Sequence, residues 1–252
     1  MKPLPAGGAA AFRHDGFLVV RGMFEPQEMR DLVGWTDALQ RAPEEPGRHM
    51  VYGETSLVDG KTRLVQRIEN FCPFHRGFDG MLTSGPLLDA VSALFGERAV
   101  MFKEKINLKM PGGDGFKPHQ DQQAGWSRYA SLFITALVAL DDATEANGCL
   151  EIAAGQHTRG LLGPEWRPLD AREMSGFRLE PLPTKSGDVV FFDSYVPHAS
   201  NPNLTGSARR VLYVTYNRLR EGDHRAQYFA EKRRDFPPDV ERAPGTSYVY
   251  RV

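Results

Sequence analysis

Six short runs of β-branched and aromatic residues follow one another after Gly96: AVMFKEKINLKM, SLFITALVALDD, CLEIA, FRLEPL, DVVFFD and RVLYVTYN. Gly, Pro, Asn and Asp punctuate them, which marks strands separated by turns. So many strands must close or stack their sheets to protect the edges, and a double-stranded β-helix, the jelly roll of cupin type, does so. The first 97 residues read differently. FLVVRG at 17–22 is a short strand, and Pro26 opens a helix with Met29, Leu32, Val33 and Leu39 at helical spacing. Residues 84–97 form a second helix, with Ser84 as its cap and Leu87, Val91, Leu94 and Phe95 on one face. The polar stretch 43–70 reads as loops and short strands, and the charged tail as one short helix near 225–234 followed by coil. The expected class is α+β. One domain spans 1–252: a jelly-roll core over about 98–218, a helical N-terminal region (1–97) packed outside it, and a tail 219–252.

Composition narrows the partners. Lys+Arg number 31 and Asp+Glu 32, so no basic field for nucleic acid is expected. The longest mostly apolar run, 132–140, is too short to span a bilayer, and the first residues lack a signal-peptide core. The two cysteines, Cys72 and Cys149, have no CxxC spacing and read as reduced, buried thiols. A cytoplasmic protein is expected, monomer or homodimer, with neither nucleic acid nor membrane as partner.

The chemistry concentrates in KPHQDQQAGW. His119 and Asp121 are one residue apart, and in an extended chain residues i and i+2 point to the same side. An imidazole and a carboxylate can thus share one metal. His198, in DSYVPHASNPN, lies 79 positions later and supplies the second imidazole. His-x-Asp alone is a common accident and on its own reads as surface residues. Two His and one carboxylate on one face of an octahedron are the facial triad of non-haem iron(II) oxygenases, which leaves positions open for a bidentate 2-oxo acid and for O2. Arg209 follows His198 by eleven residues, at the start of RRVLYVTYN. If that run is the next core strand, it pairs antiparallel with the strand bearing His198, and Arg209 faces the same cavity. Its guanidinium can grip the far carboxylate of 2-oxoglutarate through parallel hydrogen bonds, with Ser200 adding a hydroxyl. Arg210, on the other face, suits a surface salt bridge.

In order and spacing, HQD, NGCLEIAAGQH, HASNPN and RRVLYVTYN resemble the phytanoyl-CoA dioxygenase-like group, and HDGFLVVRGMFEPQEM resembles its opening strand and helix. The resemblance covers roughly 12–220. It implies a hydroxylase that uses Fe(II), 2-oxoglutarate and O2 and releases succinate and CO2. It also implies His119, Asp121 and His198 as catalytic metal ligands, and Arg209, Ser200 and Asn107 as oxo-acid contacts. GQH at 155–157 departs from a frequent Gly-Ser-His, in a segment that reads as a turn.

Other residues are weighed on their surroundings. Gln122, Trp126 and Tyr129 follow His-x-Asp directly, in a loop that borders the metal, and are expected to touch substrate; Gln123 and Arg128 lie beside them. Lys103, Lys105 and Asn107 alternate along one strand face, where inward polar groups are costly unless partnered. Lys105 and Asn107 are expected to line a polar cavity, with Lys103 undecided. Asn147-Gly148 reads as a hairpin turn, His157 as a hydrogen-bonded structural residue, and His14, His49, His75 and His224 as solvated. Asp121 occupies the place a halogenase reserves for halide. The expected substrate is a small polar metabolite such as an amino acid or aminophosphonate. The alternative is a cupin-type metal-dependent hydrolase or isomerase, because the same triad suits zinc.

Overall fold

The computed structural model describes residues 1–248, so the last four positions of the tail, expected as coil, lie outside the described residues. Its strands are β1 (Phe17–Val20), β2 (Met50–Thr55), β3 (Arg63–Glu69), β4 (Ala99–Lys109), β5 (Phe116–His119), β6 (Phe133–Ala139), β7 (Leu150–Ile152), β8 (Glu180–Leu182), β9 (Val189–Asp193), β10 (His198–Ser200) and β11 (Arg209–Arg218). They form two antiparallel sheets. The larger has the order β1-β9-β6-β11-β4-β3-β2 and the smaller β5-β10-β7-β8. All six β-rich runs contain strands. Two further strands, β5 and β10, span four and three residues, too few to show a pattern in the sequence.

Alternation on the large sheet divides the molecule. Ile106, Leu108, Ile134, Ala136, Val138, Phe191, Leu212 and Val214 point outward and pack under helices α1 (Gly8–Asp15), α2 (Pro26–Arg41), α3 (Arg76–Leu82) and α4 (Pro86–Phe95). The amphipathic faces of α2 and α4 supply Met29, Leu32, Leu39, Leu87, Val91 and Leu94 to this core. Leu137, Val190, Phe192 and Val211 point inward and meet Leu150 and Ile152 of the small sheet. A fifth helix, α5 (Arg225–Asp235), lies in the charged tail.

Several expectations need correction. The large sheet takes in β1, β2 and β3, so the β core is not confined to 98–218. β11 does not pair with the strand of His198: β10 pairs with β5 and β7, whereas β11 lies between β4 and β6 in the other sheet. Asn147-Gly148 is not a hairpin turn either, because β6 and β7 belong to different sheets. Asn147 folds the connection instead, accepting from Thr144 N at 2.8 Å and donating to Asp142 O at 3.0 Å. Ser84 does not cap α4: its hydroxyl donates back to Gly80 O, and Pro86 occupies the first turn. His49 is buried rather than solvated, and half-buried His75 caps α3 by accepting from Phe78 N.

The pairing of β4 with β11 slips between Thr215 and Tyr216, which leaves Phe102 as an extra residue opposite no partner. The bulge sends the Phe102 ring inward beside Lys103, where it meets Phe133 and Tyr228 at 4.6 Å, Tyr129 at 5.3 Å and Trp126 at 5.6 Å. Phe102 is fully buried. Phe102→Ala is expected to cost roughly 3–5 kcal/mol of unfolding free energy, read by urea denaturation. A loss under about 1 kcal/mol would mean that the aromatic cluster closes over the gap.

Candidate active site

His119 and His198 stand directly opposite each other in the β5·β10 pair, with ring centroids 4.3 Å apart. His119 Nδ1 donates to Lys117 O at 2.7 Å and His198 Nδ1 to Val196 O at 3.0 Å. A carbonyl only accepts, so both Nδ1 atoms carry the proton and each Nε2 keeps its lone pair. Asp121 begins a 3-10 turn at the end of β5, with Oδ1 3.9 Å from His198 Nε2. Its Oδ2 accepts from Thr135 Oγ1 at 3.3 Å, and Thr135 in turn shares a hydrogen bond with Thr215 across the large sheet. One ligand atom from each of the three residues lies within 4.8 Å of the others.

Electrostatics set the protonation that metal binding needs. Burial pushes the His119 imidazole down to about 3, and His198 beside it adds to the shift. Burial lowers His198 too. Burial alone would raise Asp121, but His198, Lys105 and His119 outweigh it and hold the carboxyl below its ordinary range. Two neutral imidazoles and one carboxylate are the donor set of an iron(II) facial triad, so the residues present fit that ion.

The turn that presents Asp121 is locked by its neighbours. Gln120 donates to Gly160 O and Tyr195 O and accepts from Leu162 N. Gln123 donates to Pro164 O and Arg167 O. Gln122, expected to touch substrate, is fully buried instead; it accepts from Ser194 Oγ at 2.8 Å and donates to Ser127 Oγ at 3.1 Å. With its second amide hydrogen on Ala130 O, the side chain holds the loop and has no donor left for a ligand. His157 behaves as expected, bonded to Arg13 O and away from the triad.

A cavity of about 500 Å³ opens at His119 and Asp121. Lys103, Lys105, Trp126 and Tyr129 line it, as do Arg67, Arg128, Trp166, Tyr228, Lys232 and Phe236. Lys103, undecided from sequence, donates to Tyr228 Oη at 3.0 Å; Lys105 sits 4.9 Å over the Tyr213 ring. Tyr129 donates to Glu231, and burial pushes its hydroxyl up to about 12. Trp166 reaches the cavity because residue 125 is glycine: at φ +72° a Cβ there would lie 2.4 Å from the indole.

Tyr228 and Lys232 come from α5, a helix whose position in the cavity wall nothing in the sequence announces. Lys232 and Arg67 both pair with buried Glu69, at 2.5 and 2.7 Å. Burial alone would raise Glu69; Lys232, Lys103 and Arg67 instead hold it well below the usual carboxylate range.

The inward face of β11 presents Arg209, which is buried and donates to Gly148 O at 2.7 Å, with no hydrogen-bond partner for its Nε. The buried Asn107 Oδ1 also lacks a partner. Ser200, two residues along β10 from His198, accepts from Lys109 Nζ at 2.7 Å. Arg209 thus faces inward as expected, although from the opposite sheet. Arg210 points the other way and pairs with Asp141 and Asp37. Lys109, buried beside Arg209, escapes the sequence reasoning; its place in the same alternation as Lys103, Lys105 and Asn107 is the available signal.

Fold and site together define an oxygenase of the iron(II)- and 2-oxoglutarate-dependent class. The chain belongs to the phytanoyl-CoA dioxygenase (PhyH) family, whose model matches residues 12–211. It is 41% identical over 238 residues to a 2-aminoethylphosphonate dioxygenase from the uncultured bacterium HF130_AEPn_1, covering 94% of this chain and 90% of that protein. It is 38% identical over 222 residues to a methylphosphonate hydroxylase from Gimesia maris, covering 88% and 84%. Among solved structures, EctD from S. alaskensis with 2-oxoglutarate and 5-hydroxyectoine shares the fold at a TM-score of 0.73 and 23% identity, covering 87% of this chain and 78% of that one.

Asp121→Ala removes one ligand and one negative charge. Binding of iron(II), followed anaerobically by calorimetry, is expected to weaken by at least about 10-fold, the scale of even a supporting contact to a metal ligand. Unchanged iron(II) affinity would remove Asp121 from the ligand set.

Proposed function

We propose that this chain hydroxylates a small phosphonate, and an aminoalkylphosphonate in preference to a methyl one. The observation that carries the reading is the set of cations on the cavity wall: Lys103 and Lys105, joined by Arg67 and Lys232, which share the one buried Glu69, and by Arg128, which pairs with Glu231, while the wall itself carries only Asp121 and Asp235 as acids. A phosphonate presents three oxygens and up to two negative charges, which guanidinium and ammonium groups recognise. The two phosphonate-oxidising relatives support the class. The hydrolase or isomerase alternative finds no support among them.

In this reading His119, Asp121 and His198 hold iron(II), while Arg209, Ser200 and Asn107 receive 2-oxoglutarate. Iron(II), 2-oxoglutarate and O2 together supply the oxidation of a C–H bond, with succinate and CO2 released. The chain's own residues orient the substrate. Lys103 and Lys105 fix the phosphonate close to the triad, which brings the neighbouring carbon nearest the reacting centre. Trp126, Trp166, Tyr228 and Phe236 wall the remaining space, and aromatic faces next to Asp235 suit an ammonium group. A cavity of about 500 Å³ leaves room for such a chain beyond the phosphonate.

We read the two facing sheets as the jelly roll and 1–252 as one catalytic domain, because residues from Arg67 to Tyr248 line one cavity. Among the described residues no helix is long and apolar enough to cross a membrane.

The test is succinate release with iron(II), 2-oxoglutarate and a panel of 2-aminoethylphosphonate, methylphosphonate and ectoine, with phosphorus NMR of the product. A hydroxylated aminoethylphosphonate is expected. Turnover of ectoine with no phosphonate consumed would overturn the substrate class. Lys105→Met is expected to raise the KM for the phosphonate about 30-fold, the effect of losing roughly 2 kcal/mol from a buried charge contact.

A further inference from the structure

Helix α5 covers an edge that β3 leaves open. β3 pairs with β4 only as far as Glu69 opposite Lys105. Beyond that point three consecutive residues of β4 meet α5 instead. The Phe102 ring lies 4.6 Å from that of Tyr228, Lys103 Nζ donates to Tyr228 Oη at 3.0 Å, and Glu104 accepts from both arms of the Arg225 guanidinium. Lys103 and Glu104 point to opposite faces of the sheet, so a helix that reaches both lies along the edge of the strand.

The inner face of α5 is unusual. Arg225, Tyr228, Phe229 and Lys232 recur at i, i+3, i+4 and i+7, which puts two rings between two cations. Both cations meet fully buried carboxylates. Lys232 lies 2.5 Å from Glu69, and Arg225 Nη2 donates to Glu104 Oε1 at 2.9 Å. Asn70, next to Glu69, accepts from Arg225 Nη2 at 3.2 Å, and its φ of +55° lies in the left-handed region that asparagine enters more readily than most residues. Glu104 also accepts from Cys72 N at 2.9 Å. A two-armed guanidinium–carboxylate pair fixes orientation as well as distance. Glu104 itself stays outside the cavity, but what it holds does not: Tyr228, Lys232, Asp235 and Phe236, in α5 and just after it, all line the wall.

We propose that Glu104 is a positioning residue of the substrate site: through Arg225 it seats α5, and the seat of α5 sets where Tyr228 and Lys232 stand in the cavity wall and so how tightly the phosphonate is held. This rests on the reading of the cavity given above. The rival is a general brace, in which the pair of Glu104 and Arg225 supports iron, oxo acid and phosphonate alike.

Glu104→Gln removes the charge and keeps an oxygen for Cys72 N. It is expected to raise the KM for 2-aminoethylphosphonate about 10-fold and to leave kcat within about threefold, the signature of lost substrate binding. Affinities for iron(II) and 2-oxoglutarate, from calorimetry without oxygen, are expected to stay within about twofold, because the triad and the inward face of β11 do not touch α5. Backbone amides of Arg225–Asp235, followed by hydrogen exchange and mass spectrometry, are expected to exchange at least about 10-fold faster. An unchanged KM overturns the proposal, whether or not α5 exchanges faster. Parallel losses of phosphonate, oxo acid and iron(II) overturn it in favour of the brace. A raised KM with unchanged exchange overturns the route through α5. Should Glu104→Gln not fold, Arg225→Lys, which keeps the charge and gives up the two-armed grip, carries the same comparison. Wild-type protein that consumes no phosphonate would instead refute the substrate reading itself.

Discussion

Everything at this site depends on the register of two very short strands. β5 and β10 have four and three residues, and only the pairing of His119 with His198 brings the two imidazoles side by side. A slip of one residue would turn one ring to the opposite face of the sheet. Strands this short cannot hold their own register, so the surroundings hold it. β7 pairs with the other edge of β10, setting Ile152 against His198. Gln120, fully buried between the two ligands of its own segment, ties the turn to residues 160, 162 and 195. The apparent filler of His-Gln-Asp is thus what fixes the angle between imidazole and carboxylate.

The same dependence explains what is legible in advance. Long strands and amphipathic helices declare themselves through periodicity, and β4, β6, β9, β11, α2 and α4 fall where the pattern places them. The triad is legible because its side chains are chemically distinctive and the spacing of His119 and Asp121 is local. Sheet membership is not legible. Whether β11 lies beside β10 or across from it depends on how the 201–208 connection crosses between sheets, and no local pattern encodes that. Arg209 nevertheless faces inward as expected, because alternation decides which of two neighbouring arginines does so whichever sheet holds the strand. Gln122 and His49 show the converse error. Polar residues in loop-like sequence suggest exposure or ligand contact, but burial follows from what the rest of the chain folds over them. Lys232 is out of reach for the same reason, since only the docking of α5 brings it to Glu69.

The inward face of β4 shows how the cavity is organised. Lys103, Lys105, Asn107 and Lys109 alternate along it, and at about 3.4 Å per residue the two end lysines are about 20 Å apart. One end contributes to the wall beside Trp126 and Tyr228, the other to the pocket beside Arg209 and Ser200. The metal ligands project toward this face from the small sheet. One strand therefore carries lysines to both places, and its regular repeat sets the distance between them.

That order has an energetic consequence. Three buried or half-buried lysines on one strand face, with two arginines near them, burden the empty protein with repulsion that its acidic groups only partly offset. Glu69 neutralises the α5 end, but Lys109 and Arg209 have neutral oxygens alone. A ligand that brings negative charge to either end relieves this repulsion, and whatever binds only the folded state stabilises it by mass action. The free energy withheld from the empty fold is then returned by an anion that binds there. The stability of the strand that carries these lysines is in this way coupled to the charge of whatever occupies the space they face.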